Sequence, residues 1–402
     1  MAFRISLAFA LMLFVALAVL PAHAADSRSP AYISLNDGST IQDYAWWDED
    51  VLLLYTVNPD GAILWKHHIS TGAREKLITA TGLAGLLRIS EGWDKVTFDL
   101  SPNRAYISFY APPAGPLKPP LFRVVEMAPG KMKTVEFTKM PEGFVISRHA
   151  WDNTDKYVYL AAEDYSSPDN TISLGRLSLE TGAFLALAVK DQVDLINELA
   201  YDSLSNSLLI TSRSYGGEYP RSEFLLKYSL NDNTLTKLAD AYQFRGIQAA
   251  ASGDIIAATV AKAAFKEGSF PGFLMVDESF RLPETPDEGK GARVVSRILL
   301  IPPEGESEVL LDSQDRGFDF EPSLSPNGAF LAFKRMYYRL PMAVEVRMPD
   351  NEIFLCLRER KSSQEYLVMR NAESYRFSPG SRYIAARSAD MSYLNIFELP
   401  RD

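Results

Sequence analysis

Few side chains in this 402-residue chain sit where they could make or break a bond. Ser212-Arg213-Ser214-Tyr215-Gly216-Gly217 has the outline of a nucleophile turn, G-x-S-x-G, with Ser214 as the attacking hydroxyl. Such a turn is crowded and needs glycine two places before the serine. Ser212 holds that place here, so a glycine-rich surface loop is the preferred reading. His67 and His68 are neighbours in an apparent strand, where they face opposite ways and cannot share one metal. His149 stands alone, and no H-x-x-x-H or Cys/His spacing suits zinc, so no metal site is expected. Oxygens around Asp312, Asp315 and Asp319 could hold calcium, although a solvated acidic loop is the simpler reading. Glu163-Asp164 could in principle do acid–base work, but adjacent loop carboxylates are commonly just hydrated. Cys356, the one cysteine, lies in the apolar run Ile353–Leu357 and reads as a small buried hydrophobe. Neither a phosphate-binding nor a dinucleotide-binding glycine motif occurs, so no cofactor is expected.

The elements that would position any site are read from a repeat. Ser101-Pro102-Asn103-Arg104, Ser325-Pro326-Asn327-Gly328 and Ser378-Pro379-Gly380-Ser381 each lead into a short apolar strand. With the residue late in that strand as anchor, the series runs Tyr55, Phe109, Leu160, Ile210, Ala258, Phe333 and Ala386. The spacings are 54, 51, 50, 48, 75 and 53 residues, a period in the range of propeller blades. Each period holds a strand, the turn, a buried strand and a hairpin marked by signals such as Thr71-Gly72, Pro129-Gly130 and Thr181-Gly182. That content predicts an all-β, seven-bladed β-propeller of four-stranded antiparallel blades, with six and eight blades as the alternatives. The last period ends at Tyr393–Leu399 without a fourth strand, and Ala31–Leu35 is expected to supply it and close the ring.

The S-P-[DN]-G turn and its strand resemble the TolB-like, WD40-like (PD40) propeller repeat, which is also similar to the propeller domains of prolyl oligopeptidase-type proteins. The likeness is sharp at Ser101, Ser325 and Ser378. It is degenerate where Trp47–Asp50, Asp152–Asp155, Asp202–Ser205 and Ala251–Gly253 take the turn. The prolyl oligopeptidase class reads G-x-S-x-G-G at its nucleophile and places the catalytic His after it, whereas His67, His68 and His149 all precede Ser214. No peptidase domain is expected after the propeller. TolB-like propellers work as envelope interaction modules, which the resemblance offers as an expectation; the chain lacks room for a separate domain before the first blade, which puts a Tol-type role in doubt.

Residues 1–24 read as a bacterial signal peptide: Arg4, the apolar run Ala8–Leu20 and the A-x-A site Ala22-His23-Ala24. No cysteine follows for lipid attachment, and no second long apolar run follows, so no membrane span is expected in the mature chain. Residues 25–402 are expected to form one domain with a loop insertion at about 262–291, periplasmic or secreted, and monomeric. The formal net charge of −10 makes nucleic acid a poor partner.

Recognition residues gather in the expected connections between second and third strands. The second blade has the proline-rich Ala111–Pro120, and the fourth has Arg213, Tyr215, Tyr219 and Arg221. The insertion carries Phe265, Phe270, Phe273 and Phe280, and the sixth blade has Tyr337, Tyr338 and Arg339. Exposed aromatic and arginine side chains compose interaction hot spots. The sequence therefore points to a non-catalytic module that binds an envelope protein, peptide or glycan. A hydrolase or lyase working on a saccharide or peptide at the channel mouth is the alternative, and a structural subunit of an envelope assembly is a third reading.

Overall fold

The turns of the repeat are built on serine. The computed structural model describes residues 31–400, apart from 36, 88–91, 93–94, 112–120, 129–130, 138–143, 165–171, 188, 190–192, 194–195, 214–222, 242, 262–294, 314–316 and 338–352. Ser101, Ser325 and Ser378 are buried. Each Oγ accepts the backbone N–H five residues on: Tyr106 at 3.0 Å, Phe330 at 2.9 Å and Tyr383 at 2.9 Å. The serine thereby closes the turn and starts the strand. Its proton goes to the next blade's turn in two cases, to Asp155 Oδ2 at 2.6 Å from Ser101 and to Glu49 Oε1 at 2.6 Å from Ser378. The turns that look degenerate in sequence are thus partners of the sharp ones: Asp155 also accepts from Asn103 N–H, and Glu49 from Arg382 N–H. Arg104, Asp155, Asn206, Gly253, Gly328 and Ser381 all take positive φ in these turns, which explains the Gly/Asn/Asp bias.

Seven four-stranded antiparallel sheets follow, as the repeat implies. Strands are numbered β1–β28 in chain order. The first strands of the sheets are β2 (Thr40–Trp46), β6 (Thr97–Leu100), β10 (Phe144–Trp151), β14 (Ile196–Asp202), β18 (Gln243–Ala249), β22 (Gly317–Leu324) and β26 (Ala372–Phe377). Most of these contact the first strand of the neighbouring blade, as β2 does β6 and β10 does β14, and so form the inner wall. The seventh sheet closes as expected: β1 (Ala31–Ser34) is its outermost strand and pairs with β28 (Tyr393–Glu398), with Ile33 opposite Leu394.

Buried clusters lie between neighbouring blades around the whole ring, because each sheet is apolar on both faces. They also correct two of the repeat anchors. Phe109, Leu160, Ile210, Phe333 and Ala386 pack toward the preceding blade, whereas Tyr55 and Ala258 pack toward the following one. Side chains alternate along a strand, so Leu54 and Ala257 are the equivalent positions. A helix, Ala80–Leu87, buries Leu83 and Leu87 against the first two blades.

Cys356 is buried in the core between the fifth and sixth blades, as expected, and burial pushes its thiol up to about 12. His67 and His68 do share a strand, Gly61–His68. His67 is buried and its Nδ1 accepts from Arg74 Nε at 3.3 Å, which requires the neutral ring. Burial, with Arg74 and His68 adding to it, lowers its pKa to about 4. The unfolded ring titrates near 6.5. Stability from neutral His67 is therefore complete above about 6.5 and is lost as pH falls toward about 4. His67→Gln is expected to remove this component, so that urea unfolding at pH 7 and pH 5 differs less than in the parent.

Candidate functional site

An innermost strand has one edge without a neighbour, and its N–H groups need acceptors. The preceding blade supplies them. Asp43 Oδ2 accepts from Phe98 N–H at 2.8 Å, Glu198 Oε1 from Gly246 N–H at 2.8 Å, and Gln248 Oε1 from Leu324 N–H at 2.8 Å. A second device runs in the opposite direction. Tyr44 OH donates to Ala385 O at 2.8 Å and Tyr375 OH to Ala332 O at 3.1 Å, each in the preceding blade. His149 occupies the same position in the third blade, with Nε2 2.9 Å from Ser108 Oγ. These side chains staple the ring from inside, a role that sequence spacing does not reveal because it depends on which blades stack.

Burial sets the electrostatics of the staples. It raises the pKa of Asp43 against the opposing pull of Arg376 and of the Phe98 and Tyr44 N–H groups, raises Glu198, and lowers His149. Asp99, His149 and Ser108 lie together, but they do not make a relay. Asp99 Oδ2 approaches Nε2 of His149 at 4.0 Å, the same nitrogen that meets Ser108. A catalytic His uses one nitrogen for the carboxylate and the other for the hydroxyl.

Asp312 and Asp319, weighed as calcium ligands and read more simply as a solvated loop, are held apart by separate ion pairs. Asp319 is fully buried in β22 and forms a two-pronged pair with Arg335 at 2.6 and 3.0 Å, while Asp312 pairs with Arg297 at 3.0 Å. The reading of these aspartates as one solvated loop is thus corrected, since Asp319 stands directly opposite Arg335 in a strand pair; Asp315 lies outside the described residues. Glu163 and Asp164 end a strand, Tyr157–Asp164, instead of forming a loop, and Glu163 is buried. Among the described residues, no three His, Cys, Asp or Glu side chains are grouped to hold a metal.

Two of the expected recognition residues end strands instead of lying in the connections that follow them. Arg213 and Tyr337 are the last residues of β15 (Ser207–Arg213) and β23 (Phe330–Tyr337). Tyr215, Tyr219, Arg221, Phe270, Phe273, Tyr338 and Arg339 lie outside the described residues, as do Ser214 and the insertion at 262–291. In an antiparallel blade the second-to-third connections open on the same face as the links between blades, opposite the serine turns. A groove of about 440 Å³ on the outer side of the fifth and sixth blades, lined by Leu310, Leu331, Arg358 and Arg360, brings none of these residues together.

No protein-family model matches the sequence, and no curated protein is similar to it by sequence. By fold the chain is similar to oligogalacturonate lyase from Vibrio parahaemolyticus, with a TM-score of 0.58 and 9% identity over 93% of this chain and 98% of that one. It is similar to tricorn protease with a TM-score of 0.57 and 13% identity, over 93% of this chain and 34% of that one. TolB from Acinetobacter baumannii aligns at a TM-score of 0.41 with 12% identity, over 86% of this chain and 79% of that one, too distant to carry an argument. These identities show a shared propeller fold, which hosts unrelated functions.

Proposed function

We propose that this chain is an exported, non-catalytic β-propeller that binds a protein, peptide or glycan of the bacterial cell envelope. The binding face in this reading is the one where the second-to-third connections open, with Arg213, Tyr215, Tyr219, Arg221, Phe270, Phe273, Tyr337, Tyr338 and Arg339 as its contact residues. The observation that carries the reading is how the inner wall uses its polar groups. Asp43, Glu198 and Gln248 hold backbone N–H groups of the next blade, and Tyr44, His149 and Tyr375 bond to the preceding one. Groups committed to ring closure are poor candidates for proton transfer, because moving their protons would unlock the blades. The aromatic and arginine residues of the connections have the composition of a recognition surface. Export rests on the signal-like residues 1–24.

The reading is tested by changing Tyr337 and Tyr338 together to alanine. Partner retention on immobilised protein, measured after mild crosslinking in envelope extract, is expected to fall about tenfold or more, the loss of a hot-spot pair. Urea unfolding is expected to stay a single cooperative transition. Loss of folding would place the two tyrosines in the core and count against the reading.

A further inference from the structure

One part of the inner wall is not consumed by stapling. Arg376, on β26, turns its guanidinium toward two carboxylates on different blades, with Nη2 3.6 Å from Asp43 Oδ1 and Nη1 3.6 Å from Asp99 Oδ1. Both separations exceed hydrogen-bond length. Its remaining contact is with the ring of Tyr44, 5.7 Å away, so among the described residues this guanidinium makes no hydrogen bond. The Arg376 side chain is 34% exposed and that of Asp99 49%. Among the described residues, Asp99 Oδ1 accepts from the adjacent Leu100 N–H at 3.0 Å and from no other donor, and Oδ2 faces His149 at 4.0 Å. Both residues are one place from the end of their strands, next to the serine turns. The site thus lies toward the turn face of the channel, away from the connections that carry the proposed binding face.

The charges here balance. Arg376 stands beside both Asp43 and Asp99, and Arg387, which donates to Ile41 O and Gln42 O, adds its positive charge at Asp43. A ligand carboxylate approaching Arg376 would meet Asp43 and Asp99 at close range, and a ligand ammonium approaching Asp99 would meet Arg376. Like-charge contacts of this kind are unfavourable in a partly dry site. What the pair leaves open is a set of donors beside a set of acceptors. A hydroxyl fills both roles from one atom, accepting from the guanidinium and donating to the carboxylate. We propose that the turn-face end of the channel is a binding site for a neutral polyhydroxyl ligand, a saccharide or the end of one, held between Arg376 and Asp99.

The test titrates the full chain by calorimetry with chitotetraose and cellotetraose as neutral probes, trigalacturonate as the anionic probe and tetralysine as the cationic probe. Saturable binding of a neutral probe is expected. Asp99→Asn and Arg376→Gln should each weaken it about tenfold or more, as expected for losing one hydrogen bond to a charged group. Asp99→Asn is expected to keep the parent's unfolding midpoint, because the side chain is half exposed, its separations from Arg376 and His149 exceed hydrogen-bond length, and an amide oxygen can still accept from Leu100 N–H. The Tyr337→Ala, Tyr338→Ala pair should leave this binding unchanged, which separates the site from the proposed binding face. The proposal is overturned if neither neutral probe binds, if binding survives Asp99→Asn, or if trigalacturonate or tetralysine binds more tightly through Asp99.

Discussion

Asp319→Ala is expected to destabilise the propeller by about 3–5 kcal/mol, the cost of leaving one member of a buried ion pair without its partner. Asp319 is fully buried and its two oxygens face Nε and Nη2 of Arg335, whose side chain is 4% exposed. Glu365 at 3.0 Å would remain to Arg335, but its side chain is 26% exposed and is shared with Arg358. The pair also ties neighbouring strands, since Asp319 lies opposite Arg335 in the register of β22 and β23. Replacing both residues with apolar ones of similar size, Asp319→Leu with Arg335→Met, is expected to recover most of the loss, because no charge is then left buried. Urea midpoints of the three proteins measure this. A loss below about 1 kcal/mol for Asp319→Ala would mean that Arg335 finds water on its own.

Removing β1 is expected to cost on the order of 5 kcal/mol, from the lost burial of Ile33 and several lost ladder hydrogen bonds. Ile33 is 4% exposed within the core that joins the seventh and first blades. Without β1 the β28 strand presents an open edge, with Leu394 and Ile396 of the same core behind it. Open edges pair with other chains. A chain beginning at Leu35 should therefore unfold at lower urea and run as aggregates in size exclusion, whereas Tyr32→Ser, at a position 59% exposed, should do neither. Unfolding of the shortened chain within about 1 kcal/mol of the parent would show that ring closure rests on the blade cores alone.

Much of this architecture is legible in the sequence, because the signals are local. The serine turns, the apolar strands and the missing fourth strand of the last period all lie within short windows, and local rules govern them. The anchors at Tyr55 and Ala258 are each off by one because alternation within a single strand cannot say which neighbour a face will meet. Asp319 shows a different limit. In the chain it reads as part of an acidic loop with Asp312 and Asp315; only the pairing of β22 with β23 sets it against Arg335. The staples of the inner wall were invisible for the same reason. Asp43 and Phe98 N–H are 55 residues apart and meet only once two blades stack. Arg376 reaches Asp99 past an entire intervening blade.

The central claim is that partners are bound on the face of the second-to-third connections. Its most direct test maps crosslinks from the tagged chain, held in its own envelope extract, to residues by mass spectrometry. Crosslinks to a partner concentrated in 214–222, 262–294 and 338–352, and lost in the Tyr337→Ala, Tyr338→Ala pair, are the expected result. Partner crosslinks concentrated on the serine-turn face, or unchanged in that variant, would contradict it.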